Sequence, residues 1–225
     1  MFKRLLLSAA LAAATLNAAA AGVTYKLDPS HTNVIATWNH LGFSNPSANF
    51  SAVEGTLVYD AANVSKSSVE VTLPLFGLDA FSEKFNTHLN NADFFESAKF
   101  PSATFKSTKV EAVGEGRLKV TGNLTIKDIS KPVVLNVTLN KREDKDGRSK
   151  IGFDATGTLK RTDFGLGMAA PMVSDEVTLR ITTEASTPKQ DAPTKNMPTK
   201  DAPTKDAPKK GAPKKGAPKT DATKK

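Results

Sequence analysis

From Val23 onward, apolar side chains return at every second position. Val23, Tyr25 and Leu27 alternate ahead of a turn at Asp28-Pro29-Ser30, and Val34, Ala36 and Trp38 alternate behind it with Asn33, Thr37 and Asn39. A period of two gives a strand one apolar and one polar face, so two strands are expected in succession. Phe50 to Tyr59 reads as a third strand in which Gly55 marks a bulge, and Val69, Val71, Leu73 and Leu75 line one face of a fourth. Phe81, Phe85 and Leu89 then recur at helical spacing, which predicts one short helix whose apolar stripe faces the sheet as a lid or plug. Alternation resumes at Ala103 and Phe105. It continues through Leu118, Val120, Leu124 and Ile126, then through Val133, Leu135, Val137 and Leu139, and ends in strands over 151–159 and 177–183. Polar turns at Gly114-Glu115-Gly116 and from Glu143 to Gly147 separate antiparallel neighbours. About eight strands with few helices make an all-β antiparallel meander, which this pattern allows to close as a barrel or to fold as a sandwich.

The two ends of the chain break the pattern. Lys3 and Arg4 precede a short apolar stretch from Leu5 to Leu16, and Ala18 to Ala21 supply small residues of the Ala-x-Ala kind. That is the form of a cleavable secretory signal over 1–21, which places the mature chain in the periplasm. The run is shorter than the ~20 residues of a membrane-spanning helix, so the mature protein is expected to be soluble. From Pro188 to Pro218 prolines recur every five residues among lysines and alanines, with no aromatic or branched apolar side chain to bury. This predicts a disordered tail over 188–225, extended in part as polyproline II. The segment between, 22–187, is long enough for one domain stabilised by burial alone.

The formal charge of +8 belongs mostly to the tail, which has 11 lysines and 4 aspartates, whereas 22–187 has 18 basic and 19 acidic residues. A near-neutral domain carries no electrostatic footprint for nucleic acid, and none is expected as a partner. Cysteine is absent, which excludes a disulfide framework, a thiolate metal site and a catalytic thiol. His31, His40 and His88 lack ligand spacing, and no Gly-x-Ser-x-Gly elbow or phosphate-cradling glycine loop occurs. The chain therefore reads as non-catalytic, with no metal and no cofactor.

Phenylalanine is the unusual feature, with twelve against one tryptophan and two tyrosines, and Phe76, Phe81, Phe85, Phe94, Phe95 and Phe100 crowd one helix-and-loop region. An eight-stranded barrel is wide enough inside for one apolar ligand, and Met168 and Met172 beside Gly165, Gly167 and Pro171 suit an adaptable entrance. The candidates for lining or closing such a pocket are Trp38, Phe43, Phe81, Phe85, Phe94, Phe105, Phe164 and Met168.

An ordered series of short motifs runs the length of this domain. It comprises Tyr25-Lys26-Leu27-Asp28 with His31, His40-Leu41-Gly42-Phe43-Ser44, and His88-Leu89 followed by Ala92-Asp93-Phe94-Phe95. Lys99-Phe100-Pro101, Gly122-Asn123-Leu124-Thr125-Ile126, Lys131-Pro132-Val133, Arg161-Thr162-Asp163-Phe164-Gly165-Leu166 and Ser174-Asp175-Glu176-Val177 complete it. Together they resemble the YceI-like family of exported polyisoprenoid-binding proteins. The resemblance implies an eight-stranded, lipocalin-like antiparallel barrel with one or two short helices. Its elongated pocket would hold an isoprenoid lipid, either a quinone or a polyprenyl phosphate. Where such proteins often carry Arg-Asp before His-Leu, this chain has Phe85 and Asn86, and Asn90 follows in place of arginine. Charge for an anionic head group is missing there, which leaves Lys84, Lys99 or Arg161 as substitutes. The lysine tail lies outside the resemblance, and its charge suits an anionic membrane or lipopolysaccharide surface. The leading reading is a periplasmic lipid carrier. The second is an envelope stress-related interaction module with a filled core, and a homodimer stays open.

Overall fold

A computed structural model describes residues 22–189, so the signal segment and nearly all of the lysine tail lie outside the described residues. The strands are β1 (Val23–Leu27), β2 (Asn33–His40), β3 (Ser47–Phe50), β4 (Glu54–Tyr59), β5 (Ser68–Pro74), β6 (Leu78–Asp79), β7 (Ser102–Gly114), β8 (Arg117–Ile126), β9 (Ile129–Lys145), β10 (Arg148–Lys160) and β11 (Val173–Ser186). One α-helix, α1 (Glu83–Asn90), lies between β6 and β7.

Every ladder is antiparallel, and β1 pairs with both β4 and β11, so the sheet closes on itself. That pairing decides for the barrel over the sandwich. Eleven segments make eight staves because the first three staves are each broken once. β1 and β2 both pair along the same edge of β11, with a three-residue 3-10 turn at Pro29–His31 between them. β3 and β4 likewise follow β2 and β1, and β6 and β5 follow β3 and β4. The result is an up-and-down meander of eight staves.

The breaks differ in place from the sequence expectation. The stave from Phe50 to Tyr59 is interrupted at Ser51–Val53, where Ala52 takes a φ of 56° and Val53 is buried, not at Gly55. Gly55 serves a different purpose: a Cβ there would stand 2.4 Å from the Glu70 carbonyl, so its smallness permits the close approach of β4 and β5. The turn expected over Glu143–Gly147 shrinks to Asp146-Gly147, with β9 continuing to Lys145. The end of this hairpin is exposed on both faces, so polar residues there satisfy a strand as readily as a turn. The helix begins at Glu83, after Phe81. Asp79 accepts a hydrogen bond from the Phe81 amide at 2.8 Å and Asn86 accepts one from the Ala80 amide at 2.6 Å, and these bonds hold Phe81 in a left-handed turn at φ 60°.

Candidate ligand-binding cavity

Alternation along the staves sends one set of side chains into the barrel, and these leave the interior partly empty. Val69, Val71 and Leu73 from β5, Leu118, Val120 and Leu124 from β8, and Val133, Leu135 and Val137 from β9 surround a chamber of about 160 Å³. A second chamber of about 230 Å³ lies under α1, walled by Ala36, Trp38, Phe50, Phe85, Leu89 and Phe95 among others. Val34, Leu73, Leu124 and Leu179 line both chambers, so the two adjoin across these side chains within one apolar barrel interior, called the lumen below.

The two ends of the lumen differ. Toward the chain termini Tyr25, Ile151 and Ala185 are almost fully buried, and the Tyr25 hydroxyl is hydrogen-bonded to Ser149 at 2.9 Å, which fills that end. Toward α1 a row of aromatic rings crosses the opening: Trp38 and Phe85 are 5.8 Å apart, Phe85 and His88 6.1 Å, and His88 and Phe94 4.8 Å. Phe85 and His88 also face a shallow hollow on the outer side of α1 beside Lys84 and Thr87, so the wall there is one side chain thick. We refer to this end as the mouth.

Polar groups in the second chamber are few: His40, His88, the Trp38 indole and Arg161. Arg161 is buried. Its guanidinium donates to the carbonyls of Ser174 at 2.8 Å, Met168 at 2.8 Å, Val173 at 2.8 Å and Leu166. The connection from β10 to β11 is thereby wrapped around one cation. Burial holds the Arg161 guanidinium below its ordinary value, an effect the Asp175 charge partly opposes. Asp175 itself accepts from the Thr162 amide at 2.9 Å and the Thr162 hydroxyl at 2.8 Å, and these bonds, with the Arg161 and Lys160 charges, hold its carboxyl below the usual range. Four of the five guanidinium N–H groups are spent on backbone carbonyls, so little of Arg161 remains for an anionic guest. Lys99 and Lys127 both reach Glu96, at 3.9 and 3.8 Å, and neither lines a chamber.

Of the candidates from sequence, Trp38, Phe85, Phe94 and Met168 line the second chamber and Phe105 lines the first. Phe43 and Phe81 lie on the outside of the mouth, 88% and 72% exposed, and Phe164, 1% exposed, is packed among core residues without lining either chamber. The aliphatic staves that form most of the lumen were not singled out in sequence, although their period of two marks them as inward. His40 and Arg161 continue the same period, behind Val34, Ala36 and Trp38 and behind Phe153, Ala155 and Leu159, but as polar residues at the ends of their strands they do not show from alternation alone that they face the lumen. Outside the lumen, Asp28, His31 and Glu184 bring possible ligand atoms within 4.8 Å of one another. His31 Nδ1 is 2.9 Å from Asp28, which is held below the usual carboxylate range chiefly by that hydrogen bond.

Residues 25–185 match the family described as the YceI-like domain. The chain belongs to that family. A UPF0312 protein of Shewanella baltica is 33% identical over 186 residues, which cover 81% of this chain and 97% of the relative. The crystal structure of the Campylobacter jejuni YCEI protein is 32% identical with a TM-score of 0.61, covering 67% of this chain and 90% of that one. A Saccharophagus degradans structure described as a polyisoprenoid binding domain shares the fold at 16% identity and a TM-score of 0.54, covering 73% of this chain and 98% of the other. The YceI-like domain thus coincides with the closed barrel, from Tyr25 at its filled end to Ala185.

Proposed function

We propose that this YceI-like protein is a non-catalytic carrier that sequesters an isoprenoid lipid in its barrel. The observation that carries the proposal is the lumen itself: two adjoining chambers of about 160 and 230 Å³ lined almost wholly by aliphatic and aromatic side chains. Each methylene moved there from water contributes ~0.8 kcal/mol, so a multi-unit chain needs few polar contacts to bind. The chain would lie along the staves with its tail at Val137 and Thr183 and its head near His40, His88 and Arg161. Trp38, Phe85, Phe94, Phe105 and Met168 contact it in this arrangement. The commitment of Arg161 to backbone carbonyls favours a neutral, acceptor-bearing head such as a quinone over a polyprenyl phosphate. The Saccharophagus relative's description as a polyisoprenoid binding domain supports the class of ligand. The signal-like segment 1–21 supports a periplasmic setting, and the lysines of the tail support contact with anionic envelope surfaces.

The lumen also favours the carrier over a filled-core interaction module. Native mass spectrometry of the protein purified from the bacterial envelope tests the choice: the carrier retains a lipid of mass matching a polyprenyl chain, whereas a filled core retains none. Chemical turnover of the retained lipid would reject the non-catalytic reading.

A further inference from the structure

Five of the eight large apolar side chains exposed among the described residues gather in one place, whereas Phe76, in the turn between β5 and β6, and Val113 and Val134, on β7 and β9, stand apart from them. Phe43, Met172 and Phe81 are 88%, 68% and 72% exposed, and Leu41 and Met168 are exposed beside them. The register of the barrel brings all five to one sector of the mouth. His40 pairs with Val173, which sets Leu41 and Phe43 next to Met172, and Asn49 pairs with Asp79, which brings Phe81 toward Ser47 on the same side. Met168 belongs to both surfaces, since it lines the second chamber and emerges at the rim.

Two of the three segments that carry this sector are also uncharged, and only the one bearing Phe81 has charged neighbours, Asp79, Glu83 and Lys84. No Asp, Glu, Lys or Arg occurs between Thr32 and Val53 or between Phe164 and Ser174. The opposite side of the same end is ionic, with Glu96 between Lys99 and Lys127. An apolar sector with so few charges costs little to take out of water, and a patch of that kind marks an interaction surface. Its position identifies the partner's chemistry. It borders the mouth of a lumen built for hydrocarbon, and an apolar guest that left the mouth into water would lose what the lumen supplies.

We propose that the sector formed by Leu41, Phe43, Phe81, Met168 and Met172 is a docking surface for a phospholipid bilayer. It seats the mouth in the interfacial layer, where these side chains bury shallowly in the manner of interfacial anchors. The guest then passes between bilayer and lumen without crossing water. The inference rests on the carrier reading above. It differs from attraction through the lysine tail, because it needs neither anionic lipid nor low salt.

The test uses the mature full chain, its Phe43→Ser/Met172→Ser variant and two vesicle types, one of zwitterionic phosphatidylcholine and one with added anionic phosphatidylglycerol. Co-sedimentation is measured at low and high salt, and retained lipid is measured by native mass spectrometry on the same preparations. Docking by the rim predicts binding to the zwitterionic vesicles that survives high salt and falls by at least ~tenfold in the variant. The variant should keep its retained lipid, since neither residue lines a chamber. Binding confined to anionic vesicles, removed by salt and unchanged in the variant overturns the inference in favour of the tail alone. A wild-type dimer that the variant converts to monomer, without vesicle binding, assigns the sector to a second copy and also overturns it. Absence of retained lipid in the wild type speaks against the carrier reading separately, whatever the vesicles show.

Discussion

At the residue scale the width of the lumen depends on what is missing at Gly122. A Cβ there would stand 2.4 Å from the Phe105 ring and 2.6 Å from the Lys106 carbonyl. The bare backbone of β8 therefore lets Phe105 lie back against the wall. Gly122→Ala should cost ~1–3 kcal/mol of stability in urea unfolding, as overpacking does elsewhere, and it should push the ring into the first chamber. Unchanged stability would show that the wall gives way. Asp175 permits a second test at this scale. Its folded carboxyl titrates lower than in the unfolded chain, so its contribution is complete above ~4 and disappears as pH falls through the depressed folded value. The melting-temperature difference between wild type and Asp175→Asn should then be largest near neutral pH and vanish in acid; a difference that grows in acid contradicts the assignment. Single aromatic positions were the least legible part of the sequence. Phe43, Phe81 and Phe164 share a residue type with Phe85 and Phe94, yet they lie at the outer rim, at the outer rim and in the packed core respectively. Hydrophobicity marks a residue as worth burying without saying against what.

At the element scale, α1 and the connection from β10 to β11 supply the wall of the second chamber at the mouth. The helix was visible in the spacing of Phe85 and Leu89, which do face the barrel, because a helix packed on one side must repeat its apolar contacts every three or four residues. The breaks in the first three staves were not visible. They depend on the left-handed turn at Ala52 and on the 3-10 turns at Pro29–His31 and Leu75–Gly77, where local hydrogen bonds override an alternation that continues on either side. The Arg161 clamp was equally hidden, since its four carbonyl partners are chosen by loop shape rather than residue type. Phe85→Glu places a charge in the aromatic row at the thinnest part of the wall. It should abolish lipid retention while circular dichroism stays that of the folded barrel; retention in a folded variant removes Phe85 from the binding surface.

At the scale of the whole molecule, closure of β1 onto β11 converts alternating strands into a lumen. Without it the same inward residues would meet another sheet and fill the space. Alternation gave the inward face, but closure is a long-range pairing with no local marker, and only the ordered motifs of the YceI-like family favoured the barrel in advance. β11 also fixes where the tail begins, because it runs from the mouth at Val173 to the filled end at Ser186, a span of ~45 Å. Deleting 188–225 should remove the salt-sensitive part of binding to anionic vesicles and leave lipid retention intact; unchanged salt-sensitive binding rejects the electrostatic role. The most direct measurement of the account is a crystal structure of the protein purified from the envelope without delipidation. The account predicts continuous, branched density running from Val137 through the narrowing at Leu124 and Leu179 to the ring of Trp38. A lumen closed by collapsed side chains, with no space between those points, would contradict it.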